Sequence, residues 1–444
     1  MRTFLLSFGL LTILSGSAAA QQTTQQTAQQ TAQQTAQQTT EQTPSTVAVQ
    51  ADGKSVGPVI SLPAEEPSEP ANPSAAPSKP ALPRDYDPTM ATGQAFSTDL
   101  GSGRRIPIGA YGETHLVMLK NDTQFTLRRI VLFFGHHFTD WASVYSELEV
   151  ENVSRFEIEQ SYLELQPFRK VPIGFRVGLV LLPLSIVNLY HEPPVFHSVD
   201  RPTMDQIIIP TTWREFGAGV FGTIVDGLRY QVYVVTGADG SKFSADQGIS
   251  PGLSRGFVVN TQNAAVTGRI NYSRILGFDI AGSFYYGSAN QKDQNLDGVR
   301  LGIVEADARF QRYGMMLRAQ YARTFIQGAD RITQVIRQST PTASAIGSQG
   351  QGFYGEAGYN VLYPIQNTTQ QLILFGRYEY VDTRAVVAEV TDPGNSEALQ
   401  FFTAGLSYRP ILELAFKFDY RRTLKGNDGT GGNDRISFGA AFMY

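Results

Sequence analysis

Residues 412–421 read Leu-Glu-Leu-Ala-Phe-Lys-Phe-Asp-Tyr-Arg. Leu412, Leu414, Phe416, Phe418 and Tyr420 fall on one side of an extended chain, and Glu413, Ala415, Lys417, Asp419 and Arg421 on the other, because strand side chains alternate. The spacing predicts a strand with lipid on one face and water on the other. A soluble sandwich also alternates, so the polar face has to separate the two cases. It keeps full charges in strand after strand: Glu147 and Glu149, Glu305 with Asp307 and Arg309, Arg377 with Glu379. Such charges would be strongly destabilising inside a sandwich and cost little against a wet lumen. Aromatics near strand ends, at Tyr378, Tyr380, Tyr420, Phe442 and Tyr444, suit interfacial girdles.

Working outward from this stretch, strands are expected near 106–118, 123–135, 142–151, 156–166, 173–186, 212–225, 228–237 and 262–274. Eight more follow near 277–289, 299–311, 314–327, 351–363, 370–383, 398–409, 412–422 and 434–444. The total is about sixteen, even as single-chain bacterial barrels require. From the fifth strand onward short connections alternate with long ones. Short ones lie at Asp226-Gly227, Ile275-Leu276, Arg312-Tyr313 and Pro410-Ile411; long ones span 187–211, 238–261, 328–350 and 384–397. Short turns belong to the periplasm and long loops to the outside, which places both the N-terminal tail and Tyr444 in the periplasm. The last strand, with Ile436, Phe438, Ala440, Phe442 and Tyr444 on one face, resembles the signal read by the barrel-assembly machinery.

The fold class expected is therefore all-β, a transmembrane antiparallel barrel of about 16 strands over residues 101–444. Residues 1–20, with a mostly apolar core from Phe4 to Leu14 closed by small residues, read as a signal peptide. Residues 21–43 form a Gln/Thr-rich tail with a QQTA period, and 44–100 a Pro/Ala-rich linker. Both are too poor in apolar side chains to offset the entropy of ordering and are expected to be disordered. No later run is long and apolar enough for a spanning helix; the best, Gly178 to Val187, is short and contains Pro183. No cysteine occurs, which excludes disulfides, thiolate metal sites and cysteine nucleophiles. Of 36 basic and 40 acidic residues, the first 100 positions hold 4 and 8, leaving 32 of each in the barrel region. A nucleic-acid footprint is absent from so balanced a chain.

Residues 104–225 resemble the phosphate-selective porin O and P family. The likeness is carried by Gly109-Ala110-Tyr111-Gly112-Glu113, by Arg129 to His136, by Ser146 to Glu151 (SELEVE) and by Glu159 to Leu165 (EQSYLEL). It continues from Arg176 to Gly222, through HEPPVFHSVDRP and IIIPTTWREFGAG. The resemblance implies a sixteen-stranded outer-membrane channel, usually a homotrimer. It does not by itself carry phosphate preference over. The barrel region has six lysines, Lys120, Lys170, Lys242, Lys292, Lys417 and Lys425, mostly assignable to loops and turns. A neutral lumen of mixed sign builds no strong field for phosphate.

In sixteen-stranded porins the loop after strand five commonly folds inward. Here that loop, 187–211, holds His191, Glu192, His197, Asp200, Arg201 and Asp205, stiffened by Pro193, Pro194 and Pro202. These are the candidate constriction residues, since conduction needs fixed charges that attract an ion without trapping it. By parity the wall opposite presents Glu113, His115, Arg129, Glu147, Glu149, Gln160, Tyr162, Glu164 and Arg176, with a local bias toward cations. Gly217, Gly219 and Gly222 are expected to lie close beneath the loop. His136, His137 and Trp141 read as an interfacial girdle at a periplasmic strand end.

Three features look like chemistry and read better as structure. His191, Glu192 and His197 match no helical zinc spacing, and a proline pair lies between them, so no metal site is expected. Asp293 to Gly298 begins like a calcium loop but has Val304 where a bidentate Glu is needed, and reads as an external turn. No fixed Ser, His and Asn set points to an enzyme, and no cofactor is implied. The expected partners are outer-membrane lipid, the barrel-assembly machinery and small hydrophilic solutes or ions. The function expected is a passive or weakly selective porin. The alternatives are a phosphate- or anion-selective porin, or a barrel anchor whose tail contacts the periplasm or cell wall.

Overall fold

The computed structural model describes residues 108–168, 171–256, 263–291, 293–387, 398–426 and 434–444. The leader, tail and linker assigned to 1–100 lie outside the described residues, as do Lys170 and Lys292. The first strands are β1 (Ile108–Leu119), β2 (Asp122–His137), β3 (Ala142–Glu151), β4 (Arg155–Leu165), β5 (Ile173–Leu181) and β6 (Arg214–Val225). Then come β7 (Leu228–Thr236), β8 (Ala264–Tyr272), β9 (Phe278–Ser288), β10 (Arg300–Arg312) and β11 (Met315–Gln327). The last are β12 (Gln349–Asn360), β13 (Gln371–Val386), β14 (Leu399–Ile411), β15 (Leu414–Lys425) and β16 (Asp434–Met443). Each pairs antiparallel with its sequence neighbours, and β1 pairs with β16 to close the barrel. Closure leaves no unpaired edge, which a lipid environment demands.

The stretch that opened the reading behaves as its alternation predicts. Ala415, Lys417 and Asp419 are buried toward the lumen, whereas Phe416 and, one strand on, Phe438 and Phe442 are exposed outward. Leu317, Leu374, Phe402 and Val304 continue this apolar band around the barrel. So large an apolar surface would be costly in water and is what lipid contact requires.

From β5 onward one end of the barrel carries the tight turns, while the short β1–β2 and β3–β4 turns lie at the other end. Val225 pairs with Leu228 across Asp226-Gly227, and Arg312 with Met315 across Tyr313-Gly314. Tyr313 and Gly314 have φ of 58° and 77°, the type I′ geometry that matches strand twist. The C-terminus is tied to the same end, where Tyr444 and Ala110 exchange backbone hydrogen bonds of 2.9 and 3.1 Å. Phe138, Trp141, Phe168 and Tyr444 are exposed on this rim.

Toward the opposite, loop end the lumen departs from the expected wet interior. Tyr233, Tyr285, Leu301, Ile303, Ile326 and Val381 face inward and pack with Phe243, Ile249, Leu296, Val299 and Ile332 of the long loops. Ile332 belongs to the helix Ala329–Ser339 in the β11–β12 loop. The alternation is intact there, but the inward face is apolar because loops fold down on it.

β5 supplies the largest boundary correction: it ends at Leu181, where the sequence map ran to 186. Pro183 has no N–H for a ladder. Leu182, Leu184 and Ile186 beyond it turn inward and are buried. The following loop therefore runs over 182–213.

Candidate functional site

The 182–213 loop lies inside the barrel, held at a narrow neck and seated on two walls. Asn188 closes the neck, its Nδ2 donating to Leu182 O at 2.7 Å and its Oδ1 accepting from Trp213 N at 2.9 Å. Trp213 is buried and packs on Tyr285, with ring centroids 4.9 Å apart. Ser185 sits at φ 67°, a left-handed conformation rare for a non-glycine residue. Its hydroxyl offsets that cost by donating to Asp205 Oδ1 at 2.6 Å while accepting from Val187 N at 3.1 Å. Asp205 also accepts from Gln320 Nε2 of β11 at 3.1 Å. Burial pushes the Asp205 carboxyl up to about 7, against the pull of these hydrogen bonds.

Toward β11–β16 the wall side chains hold the loop mostly by its backbone, with Arg377 donating to the Ser198 hydroxyl at 2.6 Å besides the Gln320 bond to Asp205. Val199 N donates to Asp419 at 2.6 Å and Thr203 N to Glu379. Lys417 Nζ donates to Pro193 O at 2.6 Å and Ser198 O at 3.0 Å, and Arg318 to Val195 O at 3.3 Å. His197 packs near Phe375 and Gly358. Burial, with Arg409, Arg318, Lys417 and Arg377 around it, keeps this imidazole well below its usual pKa and hence neutral. A Cβ on Gly352 would meet Met204 Cγ at 3.0 Å, and one on Gly439 would meet Val199 at 3.2 Å. These glycines clear space for the loop. Gly217, Gly219 and Gly222 do not: a Cβ there would strike Val234 O, Val232 O and Pro172 O respectively, backbone atoms outside the loop.

Toward β1–β4 the contacts run between charged side chains. His191 Nε2 lies 3.6 Å from Glu147 and 3.5 Å from Glu159. Burial disfavours its charged form, yet the Glu159 and Glu147 carboxylates outweigh this and lift the ring to about 10. Asp200 meets His115 at 3.4 Å and Arg435 at 2.9 Å. Burial opposes its charge, but Arg435 and His115 hold its carboxyl well below the usual range. Arg201 donates to His191 O at 2.8 Å, and Glu192 is buried ahead of Pro193.

The parity-assigned wall residues do face the lumen, and they pair off. Arg129 bonds Glu113 at 2.9 Å and Glu149 at 3.3 Å. Glu164 accepts from Arg176 at 2.7 Å, and Arg176 lies 4.3 Å over the Tyr162 ring. Tyr145 donates to Glu147, and Gln160 is half-buried on β4. Acidic residues spent in such pairs leave less field for cations than their number suggests. Lys417, meanwhile, lies buried in the lumen.

Sequence parity missed Glu157 and Glu159. Counting back from Gln160, Tyr162 and Glu164 puts both on the lipid face, yet both are buried inside. The β3–β4 register shifts between Glu147, paired with Gln160, and Leu148, paired with Ile158. That bulge inserts one residue and restores the inward direction. The signal was present: two carboxylates facing lipid would be costly, and an extra residue in the strand removes the conflict. Glu157 pairs with Arg214 and Arg155, and Glu159 accepts from Tyr111 at 2.7 Å. The trio His191, Glu192 and His197 is split, since His197 lies against β12 and β13.

A protein of Aquifex aeolicus (strain VF5), described as uncharacterized, is 32% identical over 358 residues, spanning 77% of this chain and 81% of that protein. The chain belongs to its family. No family model matches. Among solved structures, Salmonella typhi OmpF in complex with daunomycin superposes with a TM-score of 0.53 at 14% identity, over 77% of this chain and 98% of that one. At that identity the likeness is one of fold: this chain has a closed sixteen-stranded barrel of the kind that outer-membrane porin forms. OmpT of Vibrio cholerae lacking loop L8 aligns at a TM-score of 0.49 and 10% identity, over 77% and 99%.

Proposed function

We propose that this protein is an outer-membrane porin through which small hydrophilic solutes and ions diffuse with weak selectivity, along a path narrowed by the 182–213 loop. The observation that carries this reading is the seating of that loop inside an apolar-jacketed barrel, with fixed charges on both walls it touches. Conduction through such a constriction needs groups that attract an ion without trapping it. Pairing of Glu113, Glu149 and Glu164 with arginines leaves a lumen of mixed sign, which favours weak selectivity over a cation filter. The turn end, with Tyr444, is assigned to the periplasm, and the resemblance to the O and P family favours a homotrimer. No catalytic activity is assigned.

One observation favours a second reading, an anion-preferring channel. Lys417 and Arg318 direct their charges at loop carbonyls beside a neutral His197, and Arg377 and Arg409 lie close by. Such a cluster could draw anions where the lumen is narrow.

The test is single-channel recording in a planar bilayer, with the reversal potential read across a potassium chloride gradient before and after adding phosphate. Current steps with a potential near zero and no phosphate block are expected. An anion-selective potential with block at low phosphate would select the second reading. Absence of steps from correctly folded protein would overturn both and leave the anchor reading of the N-terminal tail.

A further inference from the structure

We propose that Glu147, Glu159 and His191 bind one divalent transition-metal ion of the zinc class, which fastens the 182–213 loop to the barrel wall. The three come from β3, the bulged part of β4 and the loop, and are 3%, 0% and 2% exposed. One donor atom from each lies within 4.8 Å of the other two.

Distances carry the argument first. His191 Nε2 stands 3.6 and 3.5 Å from the two carboxylates. Hydrogen bonds between such groups would close to about 2.7–3.2 Å. Ligand bonds of about 2.0–2.1 Å around tetrahedral zinc instead separate neighbouring ligands by roughly 3.3 Å. The spacing is that of groups arranged about a common centre.

Hydrogen bonding carries it next. Glu147 Oε2, Glu159 Oε1 and His191 Nε2 are buried without a hydrogen-bond partner, a costly state for isolated groups. Glu147 has its other oxygen engaged, since Tyr145 donates to Oε1; in Glu159 the oxygen nearest His191, Oε2, also accepts from Tyr111 at 2.7 Å, which fixes the carboxylate with Oε1 free to turn toward an ion. Outer hydrogen bonds that orient ligating groups are the usual support of a metal site.

Chemistry limits the ion. An imidazole with two carboxylates suits zinc and its neighbours, whereas calcium takes six to eight oxygens. Two carboxylates balance a doubly charged ion, so the buried set closes to neutrality once the ion displaces to solvent the proton that the same carboxylates favour on the metal-free ring. Three protein ligands leave a fourth position for water.

The experiment uses full-length protein in detergent, stripped with a chelator and titrated with zinc chloride by calorimetry, with equilibrium dialysis and metal analysis for stoichiometry. One ion per chain is expected. Glu159→Gln and His191→Ala should each weaken binding about a hundredfold, and Tyr145→Phe about tenfold. Circular dichroism and gel migration check that each variant remains a folded barrel. The double variant His136→Ala, His137→Ala, on the turn-end rim, should bind as wild type does. The proposal is overturned if wild type takes up no zinc, if Glu159→Gln binds unchanged, or if the rim double variant abolishes uptake. Uptake is measured without current, so its failure would leave the channel reading intact.

Discussion

The loop rests on two walls, and the walls hold it differently. Against β11–β16, Asp419, Glu379, Lys417 and Arg318 bond its backbone, a grip most loop side chains do not enter, with Gln320 on Asp205 and Arg377 on Ser198 as the side-chain exceptions. Against β1–β4, His191 and Asp200 reach Glu147, Glu159 and His115 through their own side chains, and Asp200 also reaches Arg435 of the adjoining β16. The first wall fixes where the chain runs. The second sets a contact that ions and single substitutions in the loop can change.

The largest effect is expected at the neck that serves both walls. Trp213→Ala removes the ring packed on Tyr285 and should cost about 3–5 kcal/mol, read as a lowered denaturation midpoint in detergent together with noisy, enlarged conductance. Next in size, Asp419→Asn combined with Glu379→Gln weakens two charge-assisted bonds to loop N–H groups. A bond to a charged group contributes about 1.5–3 kcal/mol and one to a neutral acceptor about 1, so the pair should lose roughly 2 kcal/mol in all, and single-channel recording should show the loop leaving its seat, with conductance above wild type. An equal response to His115→Ala, on the other wall, would erase the distinction between them.

The smallest effect is a pH dependence. Asp205 has a carboxyl raised by burial to about 7, with Ser185, Gln320, Glu379 and Arg318 around it. A group whose pKa is raised on docking favours the docked loop most below its ordinary value near 4. That contribution is lost as pH rises through about 7. Loop fluctuations in current traces should therefore increase between pH 6 and pH 8 in wild type, and Asp205→Asn should flatten this dependence.

How much of this was legible in the sequence follows from what alternation can encode. Lys417 against Phe416 and Phe418 states a two-faced strand in three residues, and sixteen such strands, with short turns alternating with long loops from the fifth onward, state a barrel. Glu113, Arg129, Glu147, Glu149 and Glu164 followed from parity alone. Glu159 did not, because a one-residue bulge reverses parity and leaves no period to count. The apolar filling of the loop end escaped for a related reason: Leu301 and Ile303 look like ordinary strand residues until loops from elsewhere in the chain cover them. Pro183 marked where β5 stops, but where the released chain goes depends on Gly352 and Gly439, more than 150 residues away.

The seating of the loop is the central claim, and a cross-link tests it most directly. The chain has no cysteine, so Val199→Cys with Gly439→Cys introduces a single pair. A Cβ at position 439 lies 3.2 Å from a Val199 Cγ atom, within reach of a disulfide. Oxidation of the folded protein should form that bond nearly quantitatively, seen as loss of free thiol and a reducible shift in gel migration of the unfolded chain, with conductance kept. Two thiols that remain free in the folded barrel under oxidant would place the loop outside the lumen and contradict the account.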